Sequence, residues 1–185
     1  MRLRRWVRLG ASTRGAQILE LAVALPLLVV FVVGIYDFSR AFNTKEKLNF
    51  AARDGARFGS TQPTNDLSQS TPLSVTAIRD LVDADLLAAG INDCGLGSIQ
   101  QAGTVIWTAT GTCPNSSTFT LTIDRGFVVP PAATAAAPIQ QISTHIDLNY
   151  PYQWQFGSAI RLLVPGASYA AILQIETDAF AANQD

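Results

Sequence analysis

The sequence predicts an α+β protein: a long N-terminal transmembrane helix that runs on into a small antiparallel β-sheet domain carrying one further amphipathic helix. Leu21 to Tyr36 is an unbroken run of sixteen residues without a charge or a strongly polar group. A later segment spaces Val75, Ile78, Leu81, Val82 and Leu86 at helical intervals. From about residue 101 the apolar positions alternate at period two.

The charge pattern agrees with this division. The 185 residues are 48% apolar and only 15% charged, against roughly 25% charge in an ordinary soluble domain. Arg2, Arg4, Arg5, Arg8 and Arg14 are the only charges in the first fourteen residues, and the remaining 171 hold eight basic and fourteen acidic groups, a net of −6. A nucleic-acid-binding body needs its Lys and Arg clustered on the folded domain, so no nucleic-acid partner is expected. Disorder is excluded by an apolar fraction ample for a core. What fits is a basic head, a membrane segment and a weakly charged exported body.

From Ile18 to Phe38 the apolar window is 21 residues, with Glu20 and Asp37 near its ends. At ~1.5 Å rise per residue it spans about 30 Å, the hydrocarbon thickness of a bilayer. The competing reading, a helix buried in a soluble core, requires an interior that wraps the helix on all sides, which a small domain lacks. Basic residues divide five upstream against Arg40, Lys45, Lys47 and Arg53 downstream, so charge bias alone does not orient the helix. The body decides it. It is sparsely charged, rich in Ser and Thr, and has two cysteines, Cys94 and Cys113, which an exported compartment would let pair. The expected topology puts the N-terminus in the cytoplasm and the body outside. After the run, Asp37 to Asn43 offer no small-residue cleavage site, so the helix is expected to stay with the mature protein.

Before the run stands Arg14-Gly15-Ala16-Gln17-Ile18-Leu19-Glu20. A glycine after a basic leader, followed by an apolar stretch with glutamate five residues on, resembles a type IV prepilin processing site. Cleavage between Gly15 and Ala16 would remove a fifteen-residue leader and leave 170 residues with Glu20 as the fifth. A glycine lets the backbone extend into a protease cleft without side-chain obstruction. A carboxylate inside a membrane costs on the order of 2 to 3 kcal/mol near a helix centre, less near its end, and so tends to have a partner. The new amino group of Ala16, one turn from Glu20, is the expected partner, within one chain or on a neighbouring helix; the bland alternative is a glutamate sitting at the interface.

The stretch from Gly15 to Leu28, with Pro26 six residues after Glu20, resembles the N-terminus of TadE-like proteins of the tight-adherence (Flp) pilus system. Gly34-Ile35-Tyr36-Asp37-Phe38-Ser39-Arg40 is similar to that family's exit from the membrane, and Ala51-Ala52-Arg53-Asp54-Gly55-Ala56-Arg57 to its following segment. Tyr150-Pro151-Tyr152 and Leu173 to Glu176 match the family's ending in style. The resemblance implies a pilin-like minor pilin or pseudopilin, trimmed by a prepilin peptidase, with other pilins and the pilus assembly platform as partners. It places the protein in a bacterial inner membrane, single-pass, and possible membership of a surface pilus follows from the same family.

The first helix is expected to continue past the membrane, with apolar or small residues at Phe38, Ala41, Phe42, Leu48, Ala52, Gly55 and Ala56. The domain division is therefore a leader at 1–15, a transmembrane and extended helix at 16–59, and an extracytoplasmic α+β domain at 60–185. Pro26 is tolerated at membrane depth, where neighbours meet the freed backbone group, and Gly34 lies further along the same run. Gly55 and Gly59 form a small-xxx-small pair, read either as close helix approach in an assembly or as a helix laid tightly on its own sheet. Ser60 to Thr71 reads as a polar linker, Thr71 as a cap and Pro72 as the first residue of a helix that stops at Gly90. Strands follow around Val105–Trp107, Phe119–Ile123, Ile142–Tyr150 and Tyr169–Thr177, with a low-complexity loop at Val129–Pro138. Four strands with polar neighbours form a sheet covered on one face by the two helices.

Catalytic chemistry finds no constellation. His145 is the only histidine, and Asp147 shares its strand face. No Cys/His set has zinc spacing. Asp80, Asp83 and Asp85 lack the loop spacing of a calcium site and read as a solvated face. Gly95-Leu96-Gly97-Ser98 lacks the lysine of a phosphate loop, and no nucleophile elbow occurs. Asn115-Ser116-Ser117 is a sequon too common to weigh. The expectation is a structural protein, not an enzyme, with no cofactor, metal or small-molecule substrate. The alternative is an uncleaved single-pass membrane protein whose outer domain binds a ligand or the cell wall.

Overall fold

The computed structural model describes residues 13–114, 116–129, 141–156 and 173–184. The leader residues 1–12, the sequon's Asn115, most of the 129–138 loop and residues 169–172 of the last expected strand lie outside the described residues. Helix α1 is Thr13–Ser60 and α2 is Leu73–Ala88. The strands are β1 (Gln100–Gln101), β2 (Ile106–Thr112), β3 (Thr118–Val128), β4 (Ile142–Tyr152) and β5 (Leu173–Ala182). The chain divides into two compact units, residues 1–39 with 155–170 and residues 40–154 with 171–185. The division falls inside α1.

The second unit is an α+β head. Its five strands pair in sequence order, β1-β2-β3-β4-β5, all antiparallel. Phe119, Leu121 and Ile123 of β3 and Ile146 and Leu148 of β4 are buried, as period two requires of a half-covered sheet. The cover is α2 through Val75, Ile78, Val82 and Leu86, and α1 through Leu48, Ala51, Ala52 and Ala56. The small residues of α1 set the spacing. A Cβ built on Gly55 would stand 2.6 Å from Val82 Cγ2, and one on Gly59 would stand 2.6 Å from Thr144 Cγ2. Both glycines therefore let α1 lie closely on α2 and β4 of its own head.

The start of α2 departs from the sequence expectation. Pro72 occupies the capping position itself, at φ −64° and ψ 139°, and α2 begins at Leu73 with no side-chain cap from its neighbour. Thr71 has no capping role there. The cap comes from Asp66, whose carboxylate accepts the Ser74 N–H at 2.8 Å and the Ser74 hydroxyl at 2.7 Å. Burial pushes the Asp66 carboxyl up, but these bonds and the positive field of Arg125 outweigh it and hold it below the usual carboxylate range. At the other end Gly90 takes φ +71°, and the Gly90 and Ile91 N–H groups donate to Leu87 and Leu86, a Schellman closure. Lys47 of α1 adds its ammonium to the Ala89 carbonyl at 2.7 Å, where the helix dipole is negative.

The segment 60–71 is an ordered strap, not a free linker. Besides Asp66, it offers its Ser70 carbonyl to the buried Trp107 indole at 3.2 Å. Its firmest anchor is Arg125, 2% exposed, which the alternation of β3 carries onto the covered face after Ile123. The guanidinium donates to the carbonyls of Gly59 and Gln62, so a buried cation closes the C-terminal end of α1. The end of the chain joins it: Gln184 N–H donates to the Ser60 carbonyl, and Asn183 links Thr144 to the Arg125 carbonyl.

Cys94 and Cys113 are joined by a disulfide with Cα atoms 4.4 Å apart. It ties the loop after α2 to the end of β2. Closing a loop of this length contributes ~3 kcal/mol in the chain-entropy model.

Two outcomes follow for the full chain unfolded by urea in detergent. Arg125→Met strands the Gly59 and Gln62 carbonyls and should cost about 3 kcal/mol; wild-type stability would refute the clasp. Reduction of Cys94–Cys113 should shift the midpoint down by a comparable amount, and Cys94→Ser/Cys113→Ser should show no further response to reductant.

Candidate functional site

The region with the strongest functional character is the N-terminal half of α1, and its chemistry starts from exposure. Ile18, Leu19, Leu21, Val23, Leu27, Leu28 and Phe31 are all more than half exposed, and at helical spacing they fall on every side of the helix. No face is left for water. One helix among the described residues, near the N-terminus, is long and apolar enough to cross a membrane, and its apolar window has no cover from the rest of the chain. A surface of this size without a polar side has lipid as its natural solvent.

At its N-terminal end the Gly15–Ala16 bond lies in the first turn of α1. The N–H groups of a first turn have no intrahelical acceptor, and glycine adopts an extended backbone readily, so the backbone here opens at little cost. Ala16 and Glu20 stand four residues apart on one helix face, and the Glu20 side chain is exposed. Pro26 is inside the helix, so the Ala22 carbonyl lacks its usual donor. Around Gly34 nothing lies within 4 Å of a built Cβ.

The exit from the apolar run carries a contact that sequence reasoning did not anticipate. Asp37 is fully buried, and its Oδ2 accepts the Phe156 N–H at 3.2 Å. The Tyr36 ring meets Phe156 edge-on, with centroids 5.9 Å apart. Nothing local in the sequence announces a partner 119 residues away; the signal is the charge at the end of an apolar window.

The other singled-out residues do not assemble a catalytic centre. His145 meets Asp178 rather than Asp147, Nε2 to Oδ2 at 3.3 Å, and its ring stacks on Phe127 at 4.5 Å. The antiparallel register explains this: Asp147 pairs with Asp178, and His145 is its diagonal neighbour. Asp80 pairs with Arg79 at 2.8 Å. Burial, then the charge of Asp93, pushes the Asp83 carboxyl up, and burial, then Asp54, does the same to Asp85. Among the described residues no group of three or more His, Cys, Asp or Glu side chains is placed to hold a metal ion.

With this geometry in place, comparison with known proteins locates one family. Residues 15–57 match the family model of the TadE-like protein. No curated protein and no solved structure matches the chain. The matched segment begins at the glycine before the apolar run and ends three residues before the C-terminus of α1.

The raised Asp83 carboxyl gives a pH test. A carboxyl whose folded pKa lies above its unfolded value binds its proton more tightly in the folded state. Its charge therefore lowers stability at neutral pH, and the penalty fades as pH falls through the folded value toward the unfolded one. Asp83→Asn should raise the thermal midpoint at neutral pH and lose that advantage in acid. A variant less stable at pH 7 than the parent would contradict the assignment.

Proposed function

We propose that the protein is a minor pilin or pseudopilin that takes part in assembling a tight-adherence (Flp-type) pilus or a related secretion apparatus. The observation that carries this reading is an overlap of positions: the TadE-like match over residues 15–57 takes in the whole exposed apolar part of α1. A match on that segment supports a role in anchoring and assembly. The role is accordingly structural.

In this reading the chain inserts once into the bacterial inner membrane with its arginine-rich end in the cytoplasm and its α+β head outside. The Cys94–Cys113 disulfide supports an oxidising compartment for the head. A prepilin peptidase then cuts between Gly15 and Ala16. Cutting before the apolar run keeps the helix as anchor and assembly element. The freed Ala16 amino group lies one turn from Glu20, where it neutralises a carboxylate that lipid disfavours, on its own helix or on a neighbour's. Other pilins and the assembly platform would then receive a helix of fixed register.

The test is the N-terminal mass of protein extracted from membranes of cells with a working pilus machine. The first residue should be Ala16. An N-terminus at Met1 or Arg2 would leave a plain tethered ectodomain that binds a ligand or the cell wall. Glu20→Ala should still insert and be cut but lose incorporation into the assembly; normal incorporation would remove the register role.

A further inference from the structure

The head carries an exposed arginine pair on α1 and an acidic strip on the outer face of the sheet, with the acids of α2 in the helical layer. Residues 61–185 hold three basic and ten acidic groups, while the exposed part of α1 between residues 40 and 60 is basic. α1 lays Leu48, Ala52 and Gly55 on the covered face of the sheet, Gly55 against Ile146 and Gly59 against Thr144. The opposite side of the helix carries Phe50, Arg53 and Arg57, with Glu46 a turn before them on the same side, all exposed. Glu46 is the only exposed acid on that stretch. Arg53 and Arg57 enter no ion pair among the described residues.

The uncovered face of the sheet is the reverse. Asp147 of β4 stands directly opposite Asp178 of β5, and Glu176 follows on the same face, opposite Asn149. Like charges directly opposed in a strand pair destabilise it, and His145 is the one basic group described against them. Burial raises the Asp147 carboxyl, His145 opposes the rise, and Asp178 and Glu176 add to it. This acidic strip lies along β5, at the edge of the sheet.

We propose that the acidic outer face of the sheet, Asp147, Glu176 and Asp178, docks the outward arginine pair of α1, Arg53 and Arg57, of a second copy of this chain. The sheet stands between the two surfaces within one chain, so they meet only between chains. Such a contact joins two different patches and leaves one of each free, which makes it head-to-tail and able to continue into a row. Phe50, 67% exposed on the same side of α1 as Arg53 and Arg57, supplies the apolar anchor that a charged contact of this kind needs. The inference deepens the assembly role proposed above by naming a partner for the head, and it rests on that reading only for its setting.

The test uses full chains bearing donor or acceptor dyes, reconstituted in neutral phosphatidylcholine bilayers, with energy transfer as the readout of association. Wild-type transfer should fall as salt rises from about 0.05 M to about 0.5 M. Arg53→Glu/Arg57→Glu alone, and Glu176→Lys/Asp178→Lys alone, should each weaken self-association roughly ten-fold. Mixing the two variants should restore it, because each then offers the other a complementary face. Unchanged association of either variant alone, or no recovery on mixing, overturns the proposal. So does association that appears only when anionic lipid is added, which would make the arginine pair a lipid contact. The N-terminal mass is independent of this result: Ala16 as first residue with charge-insensitive association refutes the docking alone, and Met1 with charge-dependent association refutes only the processing.

Discussion

Between Ile18 and Ile35, α1 exposes eleven large apolar side chains without cover from the rest of the described chain. Each is worth about 1.5 kcal/mol or more on removal from water, so the whole surface amounts to on the order of 20 kcal/mol. The net stability of an ordinary domain is only about 5–15 kcal/mol. A chain of this kind has no tolerable state in water alone, and the requirement for lipid precedes any question of activity. The TadE-like match over residues 15–57 falls on the segment that carries this requirement.

The same helix meets a different demand after Ser39. There it lies on a sheet, and side-chain size decides how closely. Ala51, Ala52, Gly55, Ala56 and Gly59 give it a nearly smooth face against β4 and α2. The end of α1 is held by Arg125, by Gln184 and by the 60–71 strap, which reaches on to cap α2 through Asp66. Helix ends leave carbonyls and N–H groups that burial makes costly. The head meets those groups with long-range partners, and the disulfide fixes the loop that follows α2.

Much of this was legible in the sequence because it rests on local pattern. The apolar run, the amphipathic spacing of α2 and the alternation of β2, β3 and β4 each follow from one periodicity. β1 was not legible, since two residues show no period. Arg125 could have been found by continuing the alternation Phe119, Leu121, Ile123 by one step, but a charge there reads at first as the end of a strand. Asp66 escaped because capping rules look to the residue next to the helix, and its partner Ser74 lies eight positions on. His145 was set beside Asp147 on strand position alone; its contact with Asp178 depends on the register of β5, which only pairing fixes. The Asp37–Phe156 contact likewise joins distant segments, and no local rule points from one to the other.

The account comes down to α1 being dissolved in a bilayer while it remains attached to the head. Alkaline carbonate extraction of membranes from cells producing the protein tests this most directly, because it strips surface-bound proteins and leaves spanning ones in the sediment. The account predicts that the head, detected by antibody, stays with the lipid. Its release into the supernatant would contradict a membrane-crossing helix and, with it, everything built on that anchor.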